Sequence, residues 1–97
     1  MAGKVASSVA KDWAQGFGLL SDPTRVGILA LLAKGPRNVT DLSRTLRVKQ
    51  PTLSHLLGLL RMGRLVRSAR QGKSVTYAAD RSNLKTLAVA LGKLTPK

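Results

Sequence analysis

Four turn signals, Ser21-Asp22-Pro23, Gly35-Pro36, Arg47-Val48-Lys49 and Gln71-Gly72-Lys73, cut this chain into pieces too short to be stable alone. Isolated helices of a few turns are marginal in water, so each piece must lay an apolar face on its neighbours. At 97 residues the chain has room for one domain, 1–97, with a modest core. No internal repeat or low-complexity stretch interrupts it.

The first piece, residues 5–20, carries Val9, Trp13, Phe17 and Leu20 at helical spacing, with Gly16 and Gly18 weakening its end. Asp22 before Pro23 is a helix start, because the carboxylate can cap free amides and proline costs nothing in the first turn. The helix it opens runs to residue 33 with Val26, Leu29, Leu32 and Ala33 on the buried face, and Lys34-Gly35-Pro36 ends it. Asn38, with Asp41 three residues on, is a variant capping arrangement for a third helix to residue 46. Gln50 and Pro51 begin a fourth, to residue 62. It sets Leu53, Leu56, Leu57 and Leu60 on one side and Gln50, Pro51, Ser54, His55, Gly58 and Arg61 on the other.

From residue 65 the runs become short and alternate around Gln71-Gly72-Lys73, which predicts a β-hairpin over 65–78. A last helix over 82–94 places Leu84, Leu87, Ala88, Leu91 and Leu94 at amphipathic spacing. The expected fold class is mainly α with a hairpin. The pair of short helices within 38–62, joined by a tight turn, has the form of a helix-turn-helix, and the basic hairpin after it that of a wing.

Charge narrows the partner. Seventeen Lys and Arg stand against four Asp and no Glu, a formal net charge of +13, and such a chain needs a polyanion. Nucleic acid, an anionic membrane surface and an acidic protein share that chemistry; the helix pattern selects double-stranded DNA. No apolar run approaches a membrane span, and the opening MAGKVASSVAKDW lacks a signal-peptide core, so the expected location is cytoplasmic. Without Cys, disulfides, thiolate metal sites and thiol redox sensing are excluded, and one His cannot bind a metal alone. An enzyme needs a nucleophile with a base, paired carboxylates or a cofactor loop. Four Asp on four different elements provide none of these, and no cofactor is expected.

On this reading Gln50, Pro51, Thr52, Ser54 and His55 face the major groove, where short polar side chains allow close approach to base edges. For His55 the competing role is simple exposure on the polar face. Arg47, Lys49, Arg61, Arg67, Arg70 and Lys73 are assigned to phosphates, the wing residues against the alternative of a solvated strand edge that discourages aggregation.

These residues resemble a family, the ArsR/SmtB-type winged-helix repressors, over about 20–77. LSDPTRVGILALLAKG looks like the family's second helix, VTDLSRTLRVKQPTLSHLLGLLRMGRLV like its helix-turn-helix and RSARQGKSVTYA like its wing. The resemblance implies a homodimer, built through the first and last helices, that represses transcription from an inverted-repeat operator until an inducer lowers its DNA affinity. The apolar stripes agree, since Val9, Trp13, Phe17, Leu84, Leu87 and Leu91 exceed what a small four-helix core needs; completing the monomer core is their other use.

Three departures from the family pattern are all basic. Arg47 replaces a common turn Gly, Lys49 a usual capping Ser, and Arg64 the Gly before the Leu-Val pair. A left-handed backbone costs a non-glycine residue roughly 1 kcal/mol and a missing cap a similar amount. A fourth departure concerns the inducer. The family's metal-sensing positions here read RNVTDLSRTL and DRSNLKTLAVALGKL, which lack a transition-metal ligand set. Either the signal is of another kind or there is none. An architectural protein that coats DNA with little sequence preference fits the charge equally well. A basic RNA-binding module fits less well, for want of an aromatic stacking platform.

Overall fold

In the computed structural model, which describes residues 6–95, the elements are α1 (Ser7–Gly18), α2 (Pro23–Leu32), β1 (Arg37–Asn38), α3 (Val39–Leu46), α4 (Gln50–Met62), β2 (Val66–Gln71), β3 (Ser74–Ala79) and α5 (Arg81–Lys93). Val5, with which the first helix was expected to begin, lies outside the described residues. Local signals set the starts of three helices. Asp22 Oδ2 accepts the Arg25 amide at 3.0 Å with Pro23 in the first turn, and Asn38 Oδ1 accepts the Asp41 amide at 2.8 Å. Asp80 caps α5 by accepting from the Asn83 amide at 3.1 Å.

The hairpin is part of a three-stranded antiparallel sheet in the order β1-β3-β2. β1 pairs with β3, Arg37 opposite Tyr77 and Asn38 opposite Thr76. Two residues carry no alternation to read, and only the open edge of β3 makes them a strand. Gly72, at φ +64°, supplies the positive φ of the tight turn between Gln71 and Ser74.

The fully buried side chains are Ile28, Leu32, Leu42, Leu53, Leu57, Leu60, Leu65 and Val66, so the core lies where α2, α3 and α4 meet the base of the hairpin. α2 departs from the expected face: Val26 is exposed, Ala33 also, and Ile28 takes the central place beside Leu32. This segment is apolar at nearly every position, so its period defines no unique stripe and packing chooses one.

Gly16 does not break α1. The helix runs through it to Gly18, and a Cβ at Gly16 would stand 2.6 Å from a Leu87 methyl, so the missing side chain lets α1 approach α5. α5 is tied to the end of α4 by polar bonds. The Asn83 side-chain amide donates to the Arg64 carbonyl at 2.8 Å, and the Asp80 amide to the Leu65 carbonyl at 2.9 Å.

Candidate nucleic-acid interface

The turn between α3 and α4 is closed by a reciprocal pair: the Val48 amide donates to the Ser43 carbonyl at 3.1 Å, and the Ser43 hydroxyl donates to the Val48 carbonyl at 2.5 Å. Between them Arg47 takes the left-handed conformation, φ 56° and ψ 44°. Arg64, between α4 and β2, does the same at φ 62°. Both are positions where the family pattern has Gly, and both backbones carry the strain that arginine brings to that region. Lys49 is the N-cap of α4 and makes no side-chain capping bond, so the first amides of α4 are not capped by it.

With Leu53, Leu57 and Leu60 buried, the opposite side of α4 faces outward. Gln50, Pro51, Thr52, Ser54 and His55 are all exposed and gather in its first turns. The Gln50 amide also reaches the Thr40 hydroxyl of α3 at 3.5 Å, the outer limit of a hydrogen bond. Arg61 is exposed too, but eleven residues along the helix, about 16 Å from Gln50. It belongs to the far end of α4 and does not join the cluster.

Arg67, Arg70 and Lys73 are exposed along the hairpin. Alternation from the buried Val66 puts Ser68 and Arg70 on one face of the ribbon and Arg67 on the other, so the two arginines cannot meet the same strip of a ligand. Lys73 sits in the tip.

Two further arginines were not singled out from the sequence. Arg37 Nη1 lies 2.9 Å from Asp41 Oδ2, and Arg44 Nη2 lies 3.5 Å from Asp41 Oδ1. The i,i+3 spacing of Asp41 and Arg44 on α3 is a signal that marks such a pair, whereas Arg37 stands before the helix cap, where helical spacing gives no signal.

The six apolar residues of the terminal helices divide. Leu87 is buried against Gly16 within its own chain, and Phe17 and Leu84 are half-buried against the core. Trp13 is half-buried, while Val9 and Leu91 are exposed. Trp13 stands between two open hollows. One, of about 450 Å³, is bounded by Gly16, Met62, Arg64 and Asn83; the other, of about 420 Å³, by Lys85, Val89 and Lys93. Met62, in the first hollow, is 80% exposed, a large apolar group that sequence reasoning gave to neither core nor contact.

Among the described residues no three His, Cys, Asp or Glu side chains gather as a metal site, and no helix is long and apolar enough to cross a membrane.

The family model for bacterial regulatory proteins of the arsR family matches residues 22–68. A transcriptional repressor SmtB homolog from Synechocystis is 33% identical over 78 residues, 80% of this chain and 59% of that protein. The transcriptional repressor SdpR of Bacillus subtilis is 30% identical over 69 residues, 71% of this chain and 77% of its own. The chain spans less than three fifths of some curated relatives, 59% of the Synechocystis protein and 56% of the regulator KmtR from Mycobacterium tuberculosis. Among solved structures, the homodimeric winged helix-turn-helix DNA-binding domain of a Mycobacterium bovis protein aligns at a TM-score of 0.77 and 25% identity, covering 91% of this chain and 82% of that one.

Proposed function

Because this chain belongs to the ArsR family of bacterial regulatory proteins, we propose that it is a transcriptional repressor that binds an inverted-repeat DNA site as a homodimer and acts in the cytoplasm. The observation that carries the reading is the α3–turn–α4 unit, whose exposed polar cluster opens α4 and which is followed in the chain by an exposed basic hairpin. A helix with this cluster fits the major groove, where Gln50, Thr52, Ser54 and His55 read base edges and Pro51 sits against them. Arg47, Lys49, Arg67, Arg70 and Lys73 take phosphates around it, and Arg61 a flanking one.

The dimer forms through α1 and α5, with Val9, Trp13 and Leu91 at the contact and Phe17, Leu84 and Leu87 supporting it from beneath. The exposed Leu91 and Leu94, three residues apart on one side of the end of α5, support this, because large apolar groups left in water are costly. So does the homodimeric neighbour. A signal that lifts repression, if the protein takes one, has chemistry other than thiolate or imidazole metal binding, since the chain has no Cys and one His.

Selection of bound fragments from random DNA tests the proposal. An enriched inverted repeat is the expected result; fragments with no common sequence would overturn it in favour of a coating protein.

A further inference from the structure

Arg37 opens β1 and immediately precedes Asn38, the cap of α3, so it stands at the entry of the helix-turn-helix. Its guanidinium is already engaged: Nη1 is 2.9 Å from Asp41 Oδ2, and the two side chains are only 26% and 34% exposed. Arg44 approaches the other carboxylate oxygen at 3.5 Å, but with its side chain 75% exposed it is loosely held. The bond from the Asp41 amide to Asn38 fixes the turn that presents the carboxylate. The adjacent Thr40 meets Gln50, so the ion pair lies one residue from the contact joining the two helices of the motif.

From Arg37 to Lys73 the chain is rich in Lys and Arg, and Asp41 is its lone acid. Each cation that lands on a phosphate adds about 0.9 to the salt dependence and tightens binding to every sequence alike. A protein that finds its site through α4 gains nothing in discrimination from such a contact. A cation held by a carboxylate is kept off the phosphates.

We propose that Asp41 is a specificity-determining residue that acts as an internal counter-ion, withdrawing Arg37 from the phosphate backbone and so holding down sequence-independent DNA affinity. The inference rests on the DNA-binding reading above. It has a definite sign. If Asp41 instead aimed Arg37 at a phosphate, its loss would weaken binding; as a counter-ion, its loss strengthens it.

The experiment measures affinity for a short mixed-sequence duplex over a range of salt. Asp41→Asn keeps the side chain's size and should bind roughly three- to tenfold tighter at moderate salt, with the slope steeper by about one. Asp12→Asn makes the same charge change on α1 and should gain less than about twofold, since the distant charge is screened. The charge-neutral double variant Arg37→Gln/Asp41→Asn should return to within about twofold of wild type, because the pair contributes no phosphate contact to begin with. The proposal is overturned if Asp41→Asn binds no tighter than Asp12→Asn, or if the double variant keeps the gain. Wild-type protein that shows no salt-dependent binding to the duplex overturns the DNA-binding reading itself. Salt-dependent wild-type binding left unmoved by Asp41→Asn overturns the counter-ion alone.

Discussion

Ser43 and Val48 are bonded to each other twice, amide to carbonyl at 3.1 Å and hydroxyl to carbonyl at 2.5 Å, and the left-handed Arg47 is held between them. The hydroxyl bond closes the turn that aims α4. Ser43→Ala should cost about 1 kcal/mol, the usual worth of a partly buried hydrogen bond, read as a lower urea midpoint at unchanged slope. Because the aim of α4 loosens as well, affinity for a selected DNA site should fall more than affinity for random duplex.

Arg47 and Arg64 share a strained backbone but differ in place, so relieving the strain separates two roles. Glycine at either position should stabilise the protein by up to about 0.5 kcal/mol, the left-handed penalty less glycine's entropy. Thermal melts should rise for both. Arg47→Gly alone should lose DNA affinity, with a salt slope shallower by about one.

Lys49 occupies the N-cap of α4 without capping it. Lys49→Ser should add about 1 kcal/mol of stability through a bond to a free amide. The same change removes a cation, so DNA binding should weaken on every sequence while the melting temperature rises. A variant that is less stable than wild type would show that the first turn of α4 is satisfied some other way.

Ser54 and His55 are assigned to bases and Lys73 to phosphate. Ser54→Ala or His55→Ala should cost about 1–3 kcal/mol on a selected site and little on random duplex. Lys73→Ala should weaken both alike. Identical profiles for Ser54→Ala and Lys73→Ala would remove α4 from the reading role.

Leu91 and Leu87 lie four residues apart on α5 with opposite fates, one 58% exposed and the other 8%. Leu91→Asp should therefore dissociate the dimer in sedimentation and leave the monomer folded. Leu87→Asp, which buries a charge against Gly16, should unfold the chain. A dimer that survives Leu91→Asp places the contact elsewhere.

Much of this protein was legible without coordinates because the deciding physics is local. A cap needs only a side chain and an amide three residues on, which is why Asp22 and Asn38 announce their helices. The fourth helix has all its leucines but Leu59 on one side, so its period names both the buried Leu53, Leu57 and Leu60 and the exposed Gln50, Ser54 and His55. The conformations of Arg47 and Arg64 follow from the resemblance to a family with Gly there, and the backbone agrees. Tertiary structure decided whatever depends on a partner distant in sequence. β1 exists only because β3 offers an edge to Arg37 and Asn38, forty residues before Tyr77 and thirty-eight before Thr76. α2 is apolar all round, so the packing of Ile28 rather than Val26 had to come from its neighbours. Gly16 reads as a weak point in a helix until Leu87 is seen filling the space beside it, and the same contact separates Leu87, used within the chain, from Leu91 and Leu94, which stay exposed. A periodic pattern says which residues share a face; only the assembled elements say what that face meets.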